Sequence, residues 1–224
     1  MIKHSGLLLA FIGGFVDTAT YVQFSGLFSA HVTGNFVVFA AALGRGVVEE
    51  DYLKLIAFPV FLVAVIFATF IYDHFSGKER LLLTVEAMIL AVVGVVALLH
   101  LPLRPEIQPI LAMALVAAMG WQNAAHRLHP VLGPTSTVMT TNVTQFIVGL
   151  VRRVTPEPVP SKATEGALVR RILGFGLGCF VSVYLTRAFG LGSVLLPGGL
   201  LAALAAGRQL EWARAAAKPS EAQQ

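Results

Sequence analysis

Charge is what this chain has least of. Asp, Glu, Lys and Arg together make up 12% of its 224 residues, about half the share of an ordinary soluble domain. Cysteine is nearly absent. Cys179 is the only one and lies in an apolar run, which excludes an intramolecular disulfide and any Cys/His metal spacing. A lone thiol in such a place reads as small packing. No metal or other cofactor is expected. No stripe of Lys and Arg interleaved with aromatics occurs, which excludes nucleic acid as a partner. There is no Gly-x-Ser-x-Gly elbow, no His-Glu-x-x-His and no phosphate loop, so no familiar enzyme site is written in the chain.

What is there is apolar. Hydrophobic residues are 56% of the sequence, more than a soluble fold of this size can hide from water. A lipid solvent removes the problem, so the expectation is an all-α, polytopic transmembrane bundle with the lipid bilayer as its main partner. The basic residues stand at the ends of apolar runs, as Arg45, Arg104, Arg152, Arg153, Arg170 and Arg171 do. That is where orienting charges belong in a membrane protein. Lys3 precedes an apolar run that Asp17 interrupts, and no small-x-small cleavage pattern follows. The run reads as a retained first helix.

Residues 6–24 make the first span, with Asp17 about 16 Å from Gly6 along a helix and so near the bilayer midplane. Residues 25–35 then mix Ser25, Gly26, Ser29, His31, Thr33, Gly34 and Asn35 with apolar residues. Residues 36–43 are apolar but too short to cross. Non-helical backbone at membrane depth survives only where protein or a watery cavity satisfies it, so 25–43 is expected to be an interior hairpin or broken helix. A charged loop at 44–54, spans at 55–72 and 81–101, and a proline-rich loop close the first half. Spans or pieces at 110–125, 143–151, 168–187 and 189–206 follow. A second polar break occupies 126–142, a loop with three prolines covers 155–162, and Trp212 suits the interface.

The two halves correspond. A shift of 106 positions lays Gly14-Phe-Val-Asp17 on Gly120-Trp-Gln-Asn123, and a shift of 107 lays Thr33-Gly34-Asn35 on Thr140-Thr141-Asn142. Two clean spans follow each break. The expectation is one transmembrane domain over 1–210, built of two diverged repeats at about 1–102 and 106–210, with a short polar tail at 211–224. Both six and eight crossings place most Lys and Arg on the side of the termini, so the charges support cytoplasmic termini without choosing between the two. Inverted repeats with discontinuous helices are common in small transporters. That favours six spans, inverted repeats and one broken or re-entrant segment in each.

Asp17 is the foremost candidate. A charged side chain at a helix centre costs about 3 kcal/mol on insertion scales. It must find a partner inside or stay protonated. It is either a proton- or cation-binding carboxylate or a polar staple to Thr33, Asn35 or loose backbone N–H groups. Thr33, Gly34 and Asn35 suit the start of a short helix, with Thr33 or Asn35 as cap and Gly34 free to take a conformation closed to other residues. Exposed N–H groups there would hold polar substrate groups, or the turn would be capped for stability alone. Asn142, with Thr140 and Thr141, has the same two readings. His31 could relay protons, though a satisfied structural histidine is the more ordinary role. Asn123 stands where Asp17 does in the first half, as a neutral counterpart or a hydrogen-bonding anchor. Glu86 is expected to reach the interface or pair with Arg80 or Arg127. The stripes Gly174, Gly178, Ser182 and Gly198, Ala202, Ala206 let helices approach closely.

The run Gly14-Phe-Val-Asp17 … Gly26-Leu-Phe-Ser-Ala-His-Val-Thr33-Gly34-Asn35, with Gly120-Trp-Gln-Asn123-Ala, resembles the YoaK family of uncharacterised bacterial inner-membrane proteins. The resemblance spans nearly the whole chain. One departure is Thr140-Thr141-Asn142, where relatives often have Thr-Gly. The resemblance implies a multispanning fold in a bacterial inner membrane and supplies no activity. The reading carried forward is a small secondary transporter or permease for an unidentified small solute or ion, with possible proton or cation coupling. Its rival is a non-transporting subunit or scaffold, and an intramembrane enzyme using Asp17 and His31 is a weaker third. A homodimer is compatible with so short a chain, but nothing in the sequence requires one.

Overall fold

A computed structural model describes residues 2–75, 78–129, 132, 135–155 and 162–216, and no side chain of 2–4, 78–79, 162–163 or 208–216. Much of the expected 155–162 loop, Pro130 and Pro134, the Trp212 side chain and most of the polar tail lie outside the described residues. The described residues form eight α-helices and short 3-10 turns, with no strand. The helices are α1 (Ile2–Gln23), α2 (Gly34–Arg45), α3 (Tyr52–His74), α4 (Lys78–Leu99), α5 (Gln108–Leu128), α6 (Met139–Val151), α7 (Lys162–Phe189) and α8 (Leu195–Ala216).

Four helical stretches among the described residues are long and apolar enough to cross a bilayer: Ser5–Gln23, Glu49–His74, Arg80–Leu99 and Thr164–Gly207, the last holding both α7 and α8. They differ in what they face. In α1 72% of the apolar window is buried, against 17% in α3. Phe180 and Tyr184 on α7 are each 73% exposed. Such faces would be costly in water and cost nothing against acyl chains. The long helix α5 falls short of the apolar standard because it carries Gln122, Asn123, His126 and Arg127, and it is buried along most of its length.

Glycines set the packing. A Cβ at Gly174 would lie 2.4 Å from the Leu7 carbonyl oxygen, and one at Gly178 would lie 2.1 Å from that of Phe11. Contacts that climb together along both chains mean that α7 runs parallel to α1, backbone against backbone. A Cβ at Gly14 would meet the Phe175 carbonyl oxygen at 2.3 Å. On the other side of the molecule, a Cβ at Gly120 would lie 3.0 Å from the Phe61 carbonyl oxygen, and the rings of Tyr72 and His129 meet further along. Thus α3 and α5 are also parallel. Between these two pairs, Gly94 abuts Leu195 while Gly198 abuts Leu90 and Ala91. Here one position rises as the other falls, so α4 and α8 are antiparallel.

The charged loop between α2 and α3 is not solvated throughout. Lys54 is fully buried, with its Nζ 2.8 Å from Asp51 Oδ1, and Arg45 meets the same oxygen at 2.9 Å. The loop after α6 has a similar pair, Arg153 with Glu165. Two expectations fail. The short helix α2 is not interior: only Asn35 and Ala42 are buried, and Val37 and Leu43 point outward. The apolar outer face needs lipid rather than protein. Glu86 neither reaches the interface nor pairs with Arg80 or Arg127. It is fully buried, and neither carboxyl oxygen has a hydrogen-bond partner. It shares a helix face with buried Leu82, Leu90 and Val93, which turns it away from both arginines' ends of the bundle.

Candidate functional site

The first break, residues 24–33, begins where α1 runs out. The N–H of Phe24 closes on Thr20 and that of Gly26 on Tyr21, at 2.9 and 3.0 Å. Ser25 (φ 48°) and Gly26 (φ 89°) then turn the chain through the left-handed region, which glycine enters freely and serine does not. So the special conformation lies at 25–26 and not at Gly34. From there the chain doubles back along α1 and brings its loose backbone to Asp17.

Asp17 is buried and holds this loop. Its Oδ1 accepts the backbone N–H of Ser29 at 2.8 Å and of Ala30 at 2.7 Å. The Ser29 hydroxyl approaches the same oxygen at 3.4 Å, and Thr20 donates to Ser29 at 3.1 Å. The other oxygen, Oδ2, lies 2.6 Å from His31 Nδ1. A carboxylate is well suited here, because charge-assisted bonds to N–H groups are about twice as strong as neutral ones. Unmade bonds at this depth would find no water. Asn35 locks the far side: its amide accepts from the Phe28 N–H and donates to the Phe28 carbonyl, both at 2.8 Å.

Thr33 precedes α2 but makes no side-chain cap, and neither does Asn35, whose amide is committed to Phe28. The leading N–H groups of α2 are not free. Those of Gly34, Asn35 and Phe36 close on the carbonyls of His31, Val32 and Thr33 at 2.8, 3.2 and 3.3 Å. A tightened first turn uses up the donors that were expected to face a substrate.

The second break, 129–138, is held by neutral groups of α5 and α6 and by one cation, the buried Arg171 of α7, which donates to the Leu132 carbonyl at 2.6 Å. Asn142 donates to the Thr135 carbonyl at 3.0 Å, seven residues back, as Asn35 does to Phe28. Asn123 accepts the Thr137 hydroxyl at 2.6 Å and donates to the Met119 carbonyl at 2.9 Å. Gln122 donates to the Leu9 carbonyl at 2.7 Å and the Ser136 hydroxyl at 3.0 Å, and His126 Nε2 meets that hydroxyl at 2.7 Å. Thr140 and Thr141 are exposed and take no part.

The two breaks meet. The imidazole of His31 hydrogen-bonds the backbone of Thr137, and Thr137 and Ser136 lie over Gly13 of α1. Asp17, His31, Thr137 and Asn123 therefore form one hydrogen-bonded chain across the halves. Phe175 of α7 packs edge-on against the His31 ring. Of the expected residues, Asp17, His31, Asn35, Asn123 and Asn142 belong to this assembly. Thr33, Thr140 and Thr141 stand outside it, and Gly34 serves to fit α2 beside the Phe28 ring. Thr137, Ser136, Gln122 and His126 were not singled out. The signal was present, because Ser136 and Thr137 fall where the 107-residue shift puts Ser29 and Ala30, the residues that Asp17 holds.

No group of three or more His, Cys, Asp or Glu that could hold a metal occurs among the described residues. No solved structure matches the chain. It is 28% identical over 140 residues to the UPF0700 transmembrane protein YoaK of Bacillus subtilis (strain 168). That alignment covers 59% of this chain and 60% of the relative. The apolar helices and a transmembrane relative make this an integral membrane protein. The wider match runs over residues 5–207, both breaks included, and by it the chain belongs to the family described as "Protein of unknown function (DUF1275)".

Proposed function

We propose that the protein is a small secondary transporter of a bacterial inner membrane, coupled to protons through the Asp17–His31 pair. The observation that carries this reading is the partly buried chain Asp17–His31–Thr137–Asn123, in which a titratable pair on one break touches the other break. His31 has an acceptor on each side of its ring, the Asp17 carboxylate and the Thr137 carbonyl. The doubly protonated ring matches both. Loss of that proton would release one of the two contacts, and so loosen one break from the other. Asn123 and the Thr137 hydroxyl offer neutral polar groups to a small solute beside the pair.

The topology of this reading is six crossings in two inverted copies. Helix directions support it. Take α1 as running outward. Then α7 runs outward beside it, α8 returns, α4 is antiparallel to α8 and runs outward, and α3 and α5 run inward. The corresponding helices α1 and α5 point opposite ways. The contacts also exchange: Gly14 on Phe175 corresponds to Gly120 on Phe61, and Gly94 on Leu195 to Gly198 on Ala91. Each break with its short helix would then enter and leave on one side, one from each face, and meet in the middle. This is the arrangement that alternating access uses in transporters of inverted repeats. With both termini cytoplasmic, the first break opens outward and the second inward.

A metabolite screen by thermal shift, followed by pH-gradient-driven uptake into proteoliposomes, tests this. A solute that stabilises the wild type and not Asp17→Asn, and whose uptake follows the proton gradient only in the wild type, supports the reading. Gradient-driven uptake unchanged in Asp17→Asn removes the pair from its role. A second reading is favoured by one observation: the leading N–H groups of α2 and the Asn35 amide are all satisfied internally. On that reading the protein is a non-transporting membrane subunit with a structural polar core. Asp17→Asn would then lower the melting temperature with no solute-dependent shift in either protein.

A further inference from the structure

Of the buried carboxyls outside the candidate site, Asp51 and Glu165 are paired with cations and Glu86 is not. It is 0% exposed, and both its oxygens lack a hydrogen-bond partner. It sits one turn beyond Leu82, whose carbonyl accepts the Trp121 indole N–H at 2.9 Å, so this face of α4 looks onto α5. The neighbouring positions on that face are Leu82, Leu90 and Val93, all buried.

The charged and titratable groups on the packed elements are accounted for elsewhere. Arg80, on α4 itself, lines a groove toward α8. On α3, Lys54 is paired with Asp51, and His74 bonds the Phe70 carbonyl. Tyr72 lies against His129, and Asp73 is exposed. On α5, His126 meets Ser136 and Arg127 is exposed. The described side chains of α8 and the turn Gly190–Val194 carry no titratable group. None of these groups forms a hydrogen bond or ion pair with Glu86 among the described residues.

An ionised carboxylate stripped of water and of every donor is far less stable than the neutral acid. A sodium or calcium ion would need a shell of oxygens, and here the carboxyl supplies the only side-chain oxygens on the stripe. We propose that Glu86 is a second protonation site of this protein, which holds a proton as a buried carboxylic acid and exchanges it when α4 and α5 part. The ligand is the proton itself. The shift of 106 that carries Asp17 to Asn123 carries Glu86 to Gly192, so no acid matches it in the second half. Of the buried acids among the described residues, Asp17, Asp51 and Glu86 lie in the first half and Glu165 in the second, where it pairs with Arg153.

The inference does not rest on transport, and its test reads the carboxyl directly. The full-length protein in liposomes is treated with dicyclohexylcarbodiimide over a range of pH and the peptides are weighed. The reagent takes the acid's proton on one nitrogen while the carboxyl oxygen bonds its central carbon, and an acyl shift leaves a stable adduct with no leaving group. The expected result is an adduct on Glu86 at low pH whose yield falls with a single-proton step as pH rises. Glu86→Asp keeps the adduct and Glu86→Gln loses it. Infrared difference spectra should show the carbonyl band of a protonated acid that vanishes in Glu86→Gln. An unlabelled Glu86 in the wild type, or labelling that does not change with pH, overturns the proposal. The wild-type measurement suffices if Glu86→Gln fails to fold.

Discussion

The two breaks are built to the same plan with different chemistry. In the first, a carboxylate on α1 gathers two backbone N–H groups, a hydroxyl and an imidazole. In the second, Asn123, Gln122 and His126 on α5 gather two hydroxyls. Both are closed by an asparagine that donates to a carbonyl seven residues earlier. The charge in the second break is of the other sign and comes from another helix: buried Arg171 of α7 donates to the Leu132 carbonyl at 2.6 Å. Inserting a carboxyl at membrane depth is costly, and the proposed proton coupling is what that cost would serve.

The sharpest way to break this comparison is to remove both anchors. Asp17→Ala strips the first loop of its acceptors and leaves buried N–H groups unpaired, which is expected to cost about 3 kcal/mol or more. Asn123→Ala removes neutral bonds worth about 1 kcal/mol each. Thermal unfolding in mild detergent should show a clearly larger fall for Asp17→Ala, and equal falls would mean that the charge adds nothing. Next in size come the paired glycines. Gly14→Ala places a Cβ 2.3 Å from a backbone oxygen of α7, whereas Gly120→Ala places one 3.0 Å from a backbone oxygen of α3. Helices must separate in the first case, at about 1–3 kcal/mol, and shift only slightly in the second. The same assay ranks them.

Smaller effects sharpen the likeness between the breaks. Asn35→Asp keeps an acceptor for the Phe28 N–H but sets a carboxylate against the Phe28 carbonyl. Asn142→Asp does the same to Thr135. Each is expected to cost about 1–2 kcal/mol, with the Asn35 variant the worse because it alone makes a two-way amide pair. Protease sensitivity of the adjoining loop in detergent would report it. Thr141→Ala, on an exposed side chain, should stay within about 0.5 kcal/mol of wild type, and a large fall would mean that α6 has a partner outside this chain.

How far these features could be read from sequence follows from the physics of each. Asp17 was legible because an acid inside an apolar run must find donors, and the polar stretch after it offers them. The helix pattern was legible from the apolar runs. Thr137 and Ser136 were legible only through the 107-residue shift onto Ser29 and Ala30, because among the several hydroxyls of the second break composition alone does not say which one faces α5. The fate of α2's first N–H groups was hidden too, since a tightened turn and an open one have the same composition. Ser25 gave no sign of its left-handed backbone. Glu86 was misread because its sequence neighbours include Arg80, while its direction is set by the face that α4 turns to α5.

The glycine contacts have a mechanical consequence. Where Gly174 and Gly178 leave no side chain between α1 and α7, the two backbones touch, and a seam of that kind does not slide without unzipping. Any motion of the bundle would therefore carry α1 and α7 together as one blade, with α3 and α5 as the other. The division of moving parts cuts across the order of the chain, and each blade takes one helix from either half. The crossing of α4 and α8, where Gly94 and Gly198 meet leucine side chains, is where such blades would pivot.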